Sequence, residues 1–167
     1  VLYEESMFDG QKVSKSRIIT SVDYSMVSME AFEIYAANHD IHVMDFVLKL
    51  DAYSYYMMNL LDYLTGNTDR HWGNWGFLVD NRTNQPVRLF DLMDLNQTFL
   101  AYDTPDGANC MTTGNRKMSQ REAAVEAVKN IGLNQKDEIK DEWFKGREKE
   151  REMFWCRFGI LKEQWKA

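Results

Sequence analysis

The sequence predicts an α+β fold, predominantly helical, and three observations carry that reading. Over residues 45–65, Phe46, Leu50, Tyr53, Met57, Leu60, Leu61 and Leu64 recur at three-to-four spacing, the period of a helix with one apolar face. Two further helical stretches occupy the last third of the chain. Between the first helix and these two, residues 75–80 and 86–90 alternate in strand fashion around Asn81-Arg82-Thr83-Asn84, the pattern of a β-hairpin. With 167 residues, 44% of them hydrophobic, 28% charged and only two prolines, the composition is that of one folded domain. Disordered, collagen-like and low-complexity classes are excluded.

Residues 1–27 mix short β-prone runs with Ser, Lys and Asp and lack a helical period, so an extended lead-in is expected there. Ser28 is a natural N-cap for a short helix over residues 29–38, with Met29, Phe32 and Tyr35 or Ala36 on one face. The 45–65 helix would span roughly 30 Å at about 1.5 Å per residue, with Gly66 as its stop. Its other face carries Lys49, Asp51, Asn59 and Asp62 but also Tyr56 and Met58, which marks it as a mostly buried central helix. Residues 28–65 are thus helical, and residues 66–91 comprise a polar loop, Gly66-Asn67-Thr68-Asp69-Arg70-His71-Trp72-Gly73-Asn74, and the hairpin. Polar loops held by rigid elements are where chemistry tends to sit. Residues 92–118 are polar and contain Gly107 and Gly114, as expected of a long loop. Helices are predicted over 120–130 and 136–165, so that residues 119–167 form a helical end. The last helix would place Ile139, Trp143, Met153, Phe154, Phe158, Leu161 and Trp165 on one side and a solvated face of alternating charge on the other.

Twenty basic against 26 acidic residues give a net charge of −6 and a pI near 5.1. That is the wrong sign for a nucleic-acid partner. The imbalance is uneven: residues 1–116 carry 8 basic and 16 acidic residues, whereas residues 117–167 carry 12 and 10. Cys110 and Cys156 are too few for a disulfide scaffold, and no apolar run of about 18 residues occurs, so a soluble, cytoplasmic protein without a membrane partner is expected. His39 and His42 lack a third metal-ligand candidate nearby and read as solvated. Cys110 has no flanking base to activate it, and the ten methionines read as adaptable core.

The hairpin supplies the strongest chemical signal. Pairing Trp75 with Leu89 and Phe77 with Val87 keeps the apolar residues on one face and sets Asn74 opposite Phe90, beside Asp91. Cross-strand neighbours are roughly 5 Å apart. A carboxamide and a carboxylate would therefore converge, with Asp69 a few residues upstream, and hard oxygen donors of this kind suit Mg²⁺.

Asp69-Arg70-His71-Trp72-Gly73-Asn74, followed by a hairpin and Phe90-Asp91, resembles the catalytic loop and metal-binding aspartate of the protein-kinase-like superfamily. The wording Gly-Asn-Thr-Asp-Arg-His with a following Gly-Asn-Trp-Gly-Phe is most similar to HipA-like serine/threonine kinases, over about residues 55–97. The resemblance implies a kinase C-terminal lobe that uses ATP and Mg²⁺. In it, Asp69 would orient the acceptor hydroxyl and take its proton, and Asn74 and Asp91 would hold Mg²⁺ against the phosphates. Asn67, Arg70 and His71 would form a supporting shell, with Asp94 and Asn96 as secondary candidates just past Asp91. Residues 92–118 would correspond to an activation segment. A protein Ser/Thr acceptor and an antitoxin-like partner are further implications.

Departures from that pattern are equally visible. Phe90-Asp91-Leu92 stands where protein kinases have Asp-Phe-Gly, and no lysine lies two residues after Asp69. A Gly-rich phosphate loop is missing, Gly10 is the only glycine before Gly66, and Lys12 and Lys15 read as surface lysines. The N-terminal lobe is accordingly expected to be absent, and the chain, which starts at Val1, to be part of something longer that binds nucleotide poorly by itself. Other readings are a catalytically silent binding module derived from a kinase, a kinase-like enzyme acting on a phosphoinositide or small molecule, and a metal-dependent hydrolase built on Asp69, Asp91 and Asp94.

Overall fold

In a computed structural model, residues 3–99, 106–113, 118–133 and 138–166 are described. Two short antiparallel strands, β1 (Tyr3–Phe8) and β2 (Gln11–Ser16), come first. The expected lead-in is thus extended but paired. Asp9 and Gly10 supply the tight turn, both at positive φ (49° and 75°), as a two-residue hairpin loop requires. Strand β3 (Tyr24–Ser28) then joins the predicted hairpin, β4 (Gly76–Asp80) and β5 (Gln85–Leu89), in a three-stranded antiparallel sheet of order β3-β4-β5. Sheet pairing across the long stretch between Ser28 and Gly76 was not legible locally.

Gly76 makes the β3–β4 approach possible. A Cβ there would lie 2.1 Å from the Val27 carbonyl oxygen, so only glycine fits. The register of β4 on β5 differs from the expected one: Phe77 faces Leu89, Leu78 faces Arg88 and Val79 faces Pro86, with an irregularity between Leu78 and Val79. Phe77 and Leu89 remain on the core face because the displacement at the open end is two residues, the period of a strand, whereas Val87, expected inward opposite Phe77, is exposed. Phe90 donates its N–H to the Gly76 carbonyl. Asn74 is therefore not opposite Phe90.

Helix α1 (Met29–Asn38) begins at Ser28, whose hydroxyl accepts from the Ala31 N–H. Helix α2 (Val43–Thr65) is capped by His42 at its start and ends at Gly66 in the left-handed conformation. At Asp51 (φ −156°, ψ 66°) the helix is interrupted. One carboxylate oxygen of Asp51 accepts from the Ser54 N–H and recaps the helix, and the other accepts from the Leu89 N–H of β5. This restart resets the helical phase. Tyr53, expected inward, is exposed, and Asn59 and Asp62 of the second face are buried.

Helix α3 (Gln120–Ile131) opens with a capping box between Ser119 and Glu122, and its Ala124, Ala127 and Val128 let it lie close on α2. The single helix expected over 136–165 is two pieces, a 3₁₀ turn (Asp141–Phe144) and α4 (Glu148–Lys166), separated at Gly146 with φ 73°. Trp143 and Trp165, expected on the buried side, are exposed; Phe154 and Leu161 are buried. Arg157 of α4, 1% exposed, lies 5.1 Å from the centre of the Tyr63 ring and donates to the Tyr63 carbonyl. The core joins Phe32, Phe46 and Phe77 in edge-on ring contacts to Val47, Tyr63, Trp75 and Leu89. Among the described residues no helix is long and apolar enough to cross a membrane.

Candidate active site

The loop after α2 is built on a buried carboxylate. Asp62 on α2 accepts from Arg70 Nε and Nη2 at 2.9 and 3.0 Å and from the Asn67 amide at 2.9 Å. Both sides of the Arg70–Asp62 pair are nearly solvent-free, with side chains 3% and 4% exposed. The two-pronged geometry is the arrangement in which an arginine–carboxylate pair is both strong and directional. Arg70 uses its remaining donor, Nη1, on two backbone carbonyls, those of Asn74 and Met93, each at 2.8 Å. One guanidinium thereby joins the polar loop to the segment just past Asp91.

Asn67 completes the support. Its Oδ1 accepts from the Asp69 N–H at 3.2 Å, and its carbonyl accepts from the Gln120 side-chain amide at the start of α3. Asn74 donates its Nδ2 to the Asp69 carbonyl at 2.7 Å. With the amide nitrogen committed, Oδ1 is the end of that side chain left for a cation or a donor. Asp69 itself presents a carboxylate that is 41% exposed, and the His71 Nε2 lies 3.9 Å from its Oδ1. The His71 Nδ1 is 3.0 Å from the Gly73 N–H and accepts from it, which places the ring proton on Nε2, facing Asp69. The ring packs so closely on Gly73 that a Cβ there would lie 2.8 Å from His71 Cε1.

Asp69 and His71 line a cavity of about 140 Å³ with Thr68, Asn109, Cys110 and Met111. Asp91 lines a different one, of about 260 Å³, with Tyr53, Met57, Trp75, Arg88 and Leu92. The sequence-predicted residues thus divide: Asn67, Asp69, Arg70, His71 and Asn74 form one connected unit, Arg70 links that unit to the backbone beyond Asp91, and the Asp91 carboxylate pairs with Arg88 Nη1 at 2.5 Å. Asp94 takes a positive φ of 53° and Asn96 is exposed, and neither bonds to Asp69, Asn74 or Asp91 among the described residues. No group of three or more His, Cys, Asp or Glu side chains is placed to hold a metal among the described residues.

Of the long loop, residues 106–113 and 118 seat against this unit. Trp72 donates its indole N–H to the Met111 carbonyl, Cys110 N–H donates to the Met118 carbonyl, and Asn109 bridges to Ser119. Cys110 Sγ lies 2.8 Å from Thr112 Oγ1 and 3.2 Å from Asn59 Oδ1. Burial pushes the Cys110 thiol above its ordinary pKa and does the same to the Tyr55 phenol, against the opposing hydrogen bond with Asn59.

The residues missed from sequence are Asp62, Asn59, Gln120, Trp72 and Arg88. Asp62 had one available signal, a carboxylate sharing a helix face with Tyr55, Asn59 and Met58, all of them buried. Lys12, noted as a surface lysine, pairs with Glu5 in the exposed β1–β2 hairpin.

No family model matches the chain, and no curated protein or solved structure shows significant similarity to it.

Proposed function

We propose that this chain carries the phosphoryl-transfer residues of a kinase similar to the HipA-like serine/threonine kinases, acting from Mg·ATP on a hydroxyl of a protein acceptor. The observation that supports this best is the double grip of Arg70 on the Asn74 and Met93 carbonyls. It couples the loop bearing Asp69 and Asn74 to the chain just beyond Asp91, as a reaction that depends on positioning demands. Asn74 Oδ1 and the Asp91 carboxylate are hard oxygen donors and fit Mg²⁺, which when bound supplies charge neutralisation for the phosphates. Asp69, open to solvent and free of an arginine or lysine partner among the described residues, orients an acceptor hydroxyl and accepts its proton. His71 keeps an N–H toward the Asp69 carboxylate and restrains it.

The Arg88–Asp91 pair favours a second reading, a kinase-derived binding module without turnover, because an arginine on the carboxylate competes with a cation. The Arg88 and Asp91 side chains are 40% and 34% exposed, so a cation in solution reaches the pair, which keeps the catalytic reading first. The test is transfer of the γ-phosphate from Mg·ATP by the intact native protein. Transfer that is lost in Asp69→Asn supports the catalytic reading. Transfer undiminished in Asp69→Asn overturns it, and no transfer in the wild type favours the binding module.

A further inference from the structure

A groove of about 540 Å³ lies between α1, the turn into α2 and residues 112–113. Its walls are apolar, formed by Met29, Ile41, Val43, Met44, Trp72 and Trp75. Two of its residues are chain neighbours of the Asp69 cavity: Trp72 follows His71, and Thr112 follows Met111. The groove and the cavity therefore lie on either side of the same two segments, and an extended chain with a hydroxyl at Asp69 reaches the groove within a few residues at about 3.3 Å each.

Charge identifies the occupant. Glu33 lines the groove, and the Glu30 carboxylate, at its His71 end, comes within 3.9 Å of where a Cβ on Gly73 would sit. Among the described residues neither glutamate has an ion-pair partner and no Lys or Arg lines the groove.

We infer that this groove docks the acceptor polypeptide of the proposed kinase, an extended segment that places an apolar side chain against Trp72 and Val43 and a Lys or Arg against Glu30 and Glu33. The inference rests on the phosphotransfer reading for its choice of partner. Its test does not need turnover.

The probe is a short fluorescein-labelled peptide containing one Ser, a Leu and two Arg, titrated with the full chain and followed by anisotropy. Its twin has Glu in place of both Arg. Saturable binding of the basic peptide is expected, with the acidic twin weaker, and Val43→Asp and Glu33→Lys each weakening the basic peptide about tenfold or more. Glu33→Lys is a surface change and keeps the test valid if Val43→Asp fails to fold. Absence of saturable binding overturns the inference, as does equal affinity for the two peptides or indifference to both variants. Concentration-dependent dimerisation through the same residues in sedimentation also overturns it, by making a second copy the occupant. Groove-dependent binding without phosphate transfer in the intact protein supports the docking site and refutes the kinase reading. Transfer to this peptide at a rate unaffected by either variant does the reverse.

Discussion

The side-chain amide of Asn74 donates to the backbone carbonyl of Asp69 at 2.7 Å, across five residues of chain. That bond fixes the spacing of the Asp-x-x-x-x-Asn pair in space. It also turns the Asn74 oxygen away from the loop's own hydrogen bonding. Asn74→Asp removes the donor and sets a carboxylate beside a carbonyl oxygen, so a stability loss of about 1–3 kcal/mol is expected. Urea unfolding of the variant measures it, and an unchanged midpoint contradicts the structural role.

Asp62 carries the buried guanidinium of Arg70. Asp62→Ala leaves that charge unpaired in a solvent-free position and is expected to cost about 3–5 kcal/mol. Arg70→Lys cannot reproduce the two-pronged contact with Asp62 together with the two carbonyl contacts. It should therefore lower stability as well, and in the intact protein lower turnover further than the stability loss explains. Equilibrium unfolding paired with transfer kinetics separates the two effects.

Gly76→Ala places a methyl group against the Val27 carbonyl and the Ser28 Cα. Because both are backbone, β3 must move away from β4, at a cost of about 3 kcal/mol or more. Thermal unfolding monitored by circular dichroism reads the loss. A wild-type midpoint would mean that β3 is not packed as described.

Cys110 and Tyr55 both have raised pKa values from burial. The unfolded chain ionises these groups near pH 8.5 and 10, respectively, while the folded chain keeps them neutral. Their contribution is fully present below about pH 8.5 and is lost as pH rises from there toward the folded-state values. Stability is thus expected to hold between pH 7 and 8 and to decline above about 9. At neutral pH, iodoacetamide should modify the exposed Cys156 and spare the buried Cys110. Equal labelling of the two in the folded protein contradicts this placement.

How much of this was readable in advance depended on range. Ser28, Gly66 and the alternation of β4 and β5 are local signals, and the elements they mark stand where expected. The 45–65 helix was read as mostly buried, and Tyr56, Met58, Asn59 and Asp62 of its second face are buried; the break at Asp51, held by the Leu89 N–H of a distant strand, was not legible. The hairpin register failed for a similar reason, since β4 answers to β3 through Gly76 as well as to β5. At the site, Asp69, Arg70 and Asn74 were legible because they share one loop. The buried support from Asp62 and Gln120 was not, because it joins residues of three separate elements. The Arg88–Asp91 pair also escaped notice, since its two partners lie on either side of the strand end.

Arg88 yields a prediction of its own. If Asp91 holds a cation, Arg88→Gln removes the competing guanidinium and should tighten divalent-cation binding several-fold, while leaving the fold intact because the side chain is partly exposed. Isothermal titration with Mg²⁺ in the presence of ATP provides the comparison. Weaker binding in Arg88→Gln would show that the arginine serves the phosphates instead.

The proposed division of labour between Asp69 on one side and Asn74 with Asp91 on the other is tested most directly by electron paramagnetic resonance of Mn²⁺ bound with ATP to the intact native protein. Bound Mn²⁺ is expected in the wild type and in Asp69→Asn, the latter without phosphate transfer, and is expected to be lost in Asn74→Ala and Asp91→Asn. Wild-type Mn²⁺ binding in both Asn74→Ala and Asp91→Asn would contradict the assignment of the cation to these two residues.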